Sequence, residues 1–164
     1  MDNIIRNGDF RQGLADWKAN HLVNTAEDGG LHYAYFGQGI QIRQAFSGLE
    51  GGTDYLFRLE TSALPLENDS SLSFGDSEPS TWPVRSDGFL LAYMSVSLFD
   101  GAMTHIITRR CVAYPSWGLA AFRFTAPVGF KSGIATIVIP SGESQPDIEM
   151  GVTNVEIIKA LNRK

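Results

Sequence analysis

Residues 53–62, TDYLFRLETS, alternate in side-chain direction over the length of a typical strand. Tyr55 and Phe57 fall on one side of an extended chain, whereas Arg58 and Glu60 fall on the other. Successive side chains of a β-strand point to opposite faces of its sheet, so a period of two is typical of a strand with one buried face. This stretch therefore predicts a sheet that covers an apolar core on one side only.

The same period recurs along the chain. In residues 88–100, GFLLAYMSVSLFD, Met94 and Val96 alternate with Tyr93 and its polar neighbours. Turn sequences rich in Gly and Pro separate nine or ten such runs, and only residues 154–164 show weak helical spacing. The pattern favours an all-β antiparallel sandwich or barrel. Further short runs are GIQIRQAF (39–46), THIITRRCVA (104–113), LAAFRFTA (119–126), IATIVIP (134–140) and GVTNVEIIKA (151–160).

Size and charge limit the class of protein. The 164 residues, 43% hydrophobic and 19% charged, predict one globular domain over residues 1–164. The net charge of −5 is concentrated in residues 64–87, which hold five carboxylates against Arg85 alone. No basic footprint for nucleic acid is present, no apolar run approaches the roughly 20 residues of a membrane span, and we see no signal peptide. We therefore expect neither a nucleic-acid nor a membrane partner, and the sequence leaves open cytoplasmic residence or export by a non-classical route.

The opening stretch, residues 3–17 (NIIRNGDFRQGLADW), predicts a first strand followed by a first corner. Asn7 and Gly8 belong to residue types that turn the chain at positive φ with little strain. Phe10 and Trp17 would then place apolar side chains in one end of the core.

Four ordered segments resemble carbohydrate-binding modules of the galactose-binding-like jelly-roll group, particularly those that bind glucans and xylans. The resemblance implies an antiparallel β-sandwich of the jelly-roll type that binds a poly- or oligosaccharide without catalysis. It spans nearly the whole chain in the right order. The segments are residues 3–17, residues 40–63 (IQIRQAFSGLEGGTDYLFRLETSA), residues 116–127 (SWGLAAFRFTAP) and residues 151–158 (GVTNVEII).

Many modules of this group carry a structural calcium ion, which the resemblance would imply here. Its ligands in those modules are backbone carbonyls, an acid just after the Phe, and an Asp in the last strand. In this chain Arg11 follows Phe10, and Thr153 and Asn154 stand where the Asp is expected. Calcium takes six to eight hard oxygen ligands, commonly carboxylates. We therefore expect no calcium and no other cofactor, with Arg11 paired to one of the nearby acids Asp9, Asp147 and Glu149.

Three residues outside the turns have predicted structural roles. Gln44 shares a face with apolar neighbours, so it is predicted to satisfy buried backbone groups. Cys111 is predicted to be a small core or sheet residue, because no base stands near it in the sequence. Trp117 is predicted to lie in the core.

Catalysis finds little support in the residue pattern. The three histidines are scattered without metal-ligand spacing, and no nucleophile elbow or phosphate loop occurs. Glu60 is the one acid in a central strand that alternation directs outward, and Arg58 beside it favours a surface ion pair. An enzyme, such as a polysaccharide lyase or hydrolase accessory, is the least favoured interpretation.

Sugar recognition uses flat apolar rings and planar polar side chains. In the resembling modules the ligand lies across the concave sheet or in loops at one edge, so outward-facing rings and polar groups are the candidates. The opposing interpretation is a solvated face with ordinary cross-strand pairs. It would suit a structural or interaction domain of a phage tail, toxin or surface assembly that has a protein partner and no sugar site. The candidates are Arg58, Glu60, Tyr93 and Arg123 on central strands, Trp82 in the acidic segment, and Tyr33, Gln41 and Arg43 as secondary residues.

Overall fold

Two five-stranded antiparallel sheets form the protein. A computed structural model describes residues 2–64, 93–114, 116–141 and 149–161. Sheet I has the strand order β1-β4-β9-β6-β7, and sheet II has the order β2-β3-β10-β5-β8. The strands are β1 Lys18–Ala19, β2 Asn24–Asp28, β3 Leu31–Phe36, β4 Gln41–Ser47, β5 Asp54–Leu64, β6 Tyr93–Asp100, β7 His105–Val112, β8 Gly118–Thr125, β9 Ser132–Val138 and β10 Glu149–Lys159.

The chain passes repeatedly from one sheet to the other. After β4 in sheet I it enters β5 in sheet II, returns to sheet I for β6 and β7, and then places β8, β9 and β10 in sheets II, I and II. Strands that follow one another in sequence are therefore often on opposite sides of the core. The predicted all-β antiparallel sandwich is confirmed, and the described residues contain no helix, hence none able to cross a membrane.

The core fills the space between the sheets with the side chains that alternation predicted. Met94, Val96 and Leu98 of β6 have no exposed surface, and neither have Phe57 and Leu59 of β5. Removing such apolar area from water contributes roughly 25 cal/mol per Å². The period of two therefore identified the buried faces of β5 and β6 correctly.

The last strand explains the weak helical spacing near the end of the chain. A bulge between Thr153 and Glu156 interrupts the ladder with β5, and Asn154 within it has a φ of 48°. Because the bulge adds a residue, Val152 and Val155 are both buried although they lie three positions apart. An interval of three is also a helical interval, so the sequence pattern is ambiguous here while the structure is a strand.

The opening segment is a corner without the predicted first strand. Asn3 replaces ladder bonds with its side chain, whose Oδ1 accepts from the N–H groups of Ile5 and Ile157 at 3.0 Å each. The backbone then turns at Asn7, and Gly8 passes so close to β10 that a Cβ would lie 2.0 Å from the carbonyl oxygen of Val155. Side-chain hydrogen bonds of Asn3 and single backbone hydrogen bonds to β10, rather than a continuous ladder, therefore hold this segment.

The aromatic rings of the corner, Phe10 and Trp17, lie in the core as predicted. Phe10 and Trp17 are 1% and 7% exposed and stack with their centroids 5.4 Å apart. The indole Nε1 of Trp17 donates to the carbonyl of Asn7 at 3.0 Å, so its one polar atom is satisfied. Trp17 is thus a structural residue that closes one end of the sandwich.

A buried amide fixes the N-terminal segment beside sheet I. Gln44, 2% exposed on β4, accepts from the N–H of Arg6 at 2.8 Å and donates to its carbonyl at 2.8 Å. This confirms the predicted role of Gln44. These two hydrogen bonds place Arg6 beside β4 at a point that β1, which is only two residues long, does not reach.

We expect Gln44→Leu to lower the free energy of unfolding by about 1–3 kcal/mol, because both backbone groups of Arg6 lose their partner. Gln41→Leu, three residues away on the outer face of the same strand, is the matched control and should change it by less than about 0.5 kcal/mol. Urea denaturation measures both variants. Equal stability of the two variants would show that the amide pair contributes nothing.

Candidate functional site

The predicted site residues divide between two opposite outer faces. Tyr93, Gln41 and Arg43 lie on the outer face of sheet I, because the residues next to them along β4 and β6 are buried. Arg58, Glu60 and Arg123 lie on the outer face of sheet II, as does Tyr33. The structure therefore does not bring these candidates together in one cluster, because β5 and β8 belong to a different sheet from β6. Trp82 lies outside the described residues.

Two rows of side chains cross the outer face of sheet I. Within these rows, the residues of the central strands β9 and β6 have short hydroxyl or aliphatic side chains, so the middle of each row is a shallow floor. Longer side chains stand at its two margins. The rows are Gln41–Val138–Ser95–Arg110 and Arg43–Thr136–Ser97–Thr108, each read from β4 through β9 and β6 to β7.

At the β7 margin a ring and a guanidinium lie together. The guanidinium carbon of Arg110 is 4.9 Å from the ring centroid of half-buried Tyr93, within the range of a cation–π contact. The contact restricts both side chains and leaves the guanidinium edges as donors. Beside them, the hydroxyls of Ser97 and Thr108 share a hydrogen bond of 2.9 Å.

At the β4 margin two cavities adjoin. One, of about 490 Å³, is lined by Arg6, Asp16, Lys18 and Arg43 among others. The second, of about 570 Å³, shares Arg6 and Ala45 with the first. Both fall within the volume range of small-ligand sites, roughly 300–1,000 Å³. The cavities exist because β1 pairs with β4 only at Ile42 and Arg43 and leaves the rest of this margin without a neighbouring strand.

On the outer face of sheet II, the charged side chains contact one another or a neighbouring amide. Nε of Arg58 pairs with Oε2 of Glu156 across the strand pair β5–β10, rather than with the predicted Glu60. Glu60 instead accepts a hydrogen bond from Nδ2 of Asn154. Arg123 lies 4.0 Å from a carboxylate oxygen of Asp54. These are the cross-strand pairs that the opposing interpretation of the sequence described.

An aromatic cluster also lies on sheet II. The ring centroids of Tyr33 and Trp117 are 5.2 Å apart, and those of Tyr33 and Tyr35 are 6.0 Å apart. Burial, with lesser effects of Asp28 and Tyr35, raises the pKa of the Tyr33 phenol. Trp117 is half-buried on this outer face, so the prediction that it lies in the core is wrong. Its ring can reach the tyrosine rings of β3 because the residues between them, Gly151 and Ser62, are small.

Sequence reasoning missed three basic residues of sheet I: Arg6, Lys18 and Arg110. Alternation places Arg110 on the opposite side of β7 from buried Cys111, so its outward direction was readable. That β7 neighbours β6, and that Arg6 and Lys18 lie beside Arg43, depends on strand order and is not encoded locally.

The residues at the implied calcium position do not fit that ion. The carbonyl of Gly8 accepts from the N–H of Val155 at 3.0 Å, and the carbonyl of Val155 accepts from Nδ2 of Asn3 at 3.1 Å. The predicted pair of Arg11 is present, with its Nε 3.3 Å from a carboxylate oxygen of Asp9. Each of these carbonyl oxygens thus already accepts one hydrogen bond, and a guanidinium occupies the position where an acidic ligand is expected. Elsewhere in the described ranges, no three His, Cys, Asp or Glu side chains come together.

The one cysteine is a core residue, as predicted. Cys111 is 4% exposed and faces the interior opposite Met94. Burial raises the pKa of its thiol to about 11. The thiolate, which is the nucleophilic form, is therefore scarce at neutral pH.

No protein-family model and no curated protein sequence matches the chain. Among solved structures it is similar to a family 4 carbohydrate-binding module, with a TM-score of 0.61 and 14% identity over 95% of this chain and 99% of that one. The fold is the jelly roll of carbohydrate-binding modules. The chain is also similar to a family 61 module solved in complex with β-1,4-galactotriose, with a TM-score of 0.60 and 10% identity over 98% of this chain and 100% of that one.

A third similar structure belongs to a larger protein. The enzymatically active domain of tailspike protein 4 of bacteriophage CBA120 gives a TM-score of 0.65 at 10% identity. The match covers 96% of this chain and 21% of the tailspike chain. The resemblance seen in the four sequence segments is thus confirmed for the fold.

We expect the melting temperature to be unchanged by EDTA and by millimolar calcium chloride, because the oxygens near Gly8 are already engaged. A site at a hundred times its dissociation constant would add about 2.7 kcal/mol, which is a shift of several degrees. Differential scanning calorimetry measures the difference. A calcium-dependent rise of that size would contradict the assignment.

We also expect the native thiol of Cys111 to react slowly with a disulfide reagent at pH 8, since it is buried and its pKa lies above that pH. Reaction should accelerate as pH rises towards 11, provided the fold survives, and should be complete in urea. Absorbance of the released thiolate follows the reaction. Stoichiometric labelling of the native protein within the mixing time would refute this.

Proposed function

We propose that the protein is a non-catalytic carbohydrate-binding module that holds a poly- or oligosaccharide on the outer face of sheet I. The observation that carries the proposal is the arrangement of a shallow hydroxyl-lined floor between Tyr93 with Arg110 at one margin and Gln41 with Arg43 at the other. The ring provides an apolar face for sugar C–H groups. The amide and guanidinium groups provide planar donors for sugar hydroxyls.

Sheet I suits this role better than sheet II because its polar groups are less engaged. On sheet II, Arg58, Glu60 and Arg123 each contact another side chain of the same face. A ligand there would have to compete with existing pairs. On sheet I, the side chain of Arg43 makes no hydrogen bond or ion pair with the part of the chain that the structure describes, so its guanidinium donors are available to a ligand.

The proposal excludes catalysis because the carboxylates of sheet II are engaged by other side chains. Glycoside hydrolysis needs two carboxyl groups on either side of one bond. Asp54 and Glu156 are paired with arginines, and Glu60 with an amide, on the face away from the proposed site. The similar carbohydrate-binding modules support binding as the function of this fold.

A second candidate is a structural domain of a larger assembly with a protein partner. The similarity to part of a phage tailspike favours it, since there a chain of this fold makes up about a fifth of the protein. The two candidates differ in whether any polysaccharide is retained.

We expect Tyr93→Ala to weaken retention on a polysaccharide affinity gel by about tenfold or more, because the sugar loses its stacking ring. Tyr35→Ala, which removes a half-buried tyrosine from sheet II, is the matched control and should leave retention unchanged. The gels contain soluble glucan, xylan, galactan and polygalacturonate in turn, and circular dichroism checks the fold of both variants.

If retention survives in Tyr93→Ala and is lost in Tyr35→Ala, the site lies on sheet II. Retention by no polymer would favour the structural domain. Release of reducing sugar by the wild-type protein would overturn the non-catalytic assignment.

A further inference from the structure

The two outer faces differ in whether their cations have a carboxylate partner. On sheet II, Arg58 pairs with Glu156 and Arg123 lies by Asp54, while Lys159 at the end of β10 contacts Glu50 at 2.8 Å. These pairs neutralise the basic groups of that face. Its charges are thus explained by contacts within the fold.

On sheet I, Arg6 pairs with Asp16, whereas Lys18, Arg43 and Arg110 have no carboxylate partner in the described ranges. Lys18 and Arg43 form neither an ion pair nor a hydrogen bond with any side chain in the described ranges, and Arg110 contacts the ring of Tyr93. Lys18 and Arg43 are moreover direct cross-strand partners in the β1–β4 ladder. Like charges opposite each other destabilise a sheet, so folding alone gives no reason for this pair.

Of the two cavities at the β4 margin, the one lined by Lys18 and Arg43 is rich in positive charge. Arg6, Lys18 and Arg43 line it together with a single carboxylate, Asp16, whose Oδ1 is 3.5 Å from Nε of Arg6. The lining is therefore positive in a chain whose net charge is −5. A cleft lined by one sign of charge attracts ligands of the other sign.

We propose that sheet I selects anionic saccharides, those whose sugar units carry carboxylate or sulfate groups. The inference rests on the proposed function and specifies its ligand class. One anionic group lies in the cavity, where the guanidinium of Arg43 donates two parallel hydrogen bonds and the ammonium of Lys18 adds a third donor.

A polymer bearing several charges reaches a second cation on the same face. Arg110 stands on β7, three strand spacings or about 14 Å from β4. The serines and threonines between them leave room for the chain of sugars to cross. The cation–π contact holds Arg110 beside the ring on which a sugar unit would stack.

Two matched pairs of polymers test the ligand class. Polygalacturonate is compared with its fully methyl-esterified form for the carboxylate, and dextran sulfate with dextran for the sulfate. Dissociation constants are measured by affinity electrophoresis at about 50 and 500 mM NaCl. In at least one pair the charged polymer should bind about tenfold more tightly at low salt, and the advantage should shrink at high salt because exposed charges are screened.

A pair of double variants then separates the site from general attraction. Lys18→Gln/Arg43→Gln should remove most of the advantage of the charged polymer, since a charge-assisted hydrogen bond contributes about a factor of ten. Arg58→Gln/Arg123→Gln changes the net charge equally on sheet II and should leave the advantage unchanged. Thermal unfolding confirms that both variants fold.

Three outcomes would overturn the inference. Equal binding of charged and neutral polymers, still dependent on Tyr93, would remove the anionic selectivity while preserving the proposed function. Equal losses in the two double variants would show that binding follows net charge and not the cavity. Retention of neither charged nor neutral polymers would remove the proposed function and the inference with it.

Discussion

The hydrogen bonds between the Gln44 side chain and the Arg6 backbone define the margin of sheet I on which the candidate site depends. A buried amide takes the place of a neighbouring strand and satisfies both backbone groups of one residue. Because Arg6 is held there, its side chain forms a wall shared by both cavities and contacts Asp16. A longer β1 would have filled the same space with backbone.

The corner before β1 is likewise held by side-chain amides. Nδ2 of Asn7 donates to the carbonyls of Gly13 and Ala15 at 3.0 and 2.8 Å, and its Oδ1 accepts from the N–H of Gln12 at 3.1 Å. Asn3 makes comparable bonds to β10. These contacts order the loop that leads to Lys18, so the geometry of the cavity follows from them.

The two outer faces differ in how far their charged side chains are paired within the fold. Sheet II balances its charges through cross-strand pairs such as Arg58 with Glu156, which restrict side chains and leave few free donors. Sheet I places hydroxyls in its centre and cations at its margins, and the described part of the chain supplies no carboxylate to Lys18 or Arg43. Donors without a partner in the fold need not break an existing contact before they bind a ligand.

The sequence by itself determined which side of β4, β5 and β6 is buried. It placed Met94 inside and Tyr93 outside, and it identified Gln44 as an inward amide, because the direction of a side chain depends only on local alternation. Which sheet each strand joins was decided by the tertiary structure. Arg58 and Tyr93 are both outward, yet they lie on opposite faces, since pairing between distant strands depends on the path of the whole chain and leaves no trace in a period of two. For the same reason Arg110 and Lys18 became candidates only once strand order placed them beside Tyr93 and Arg43.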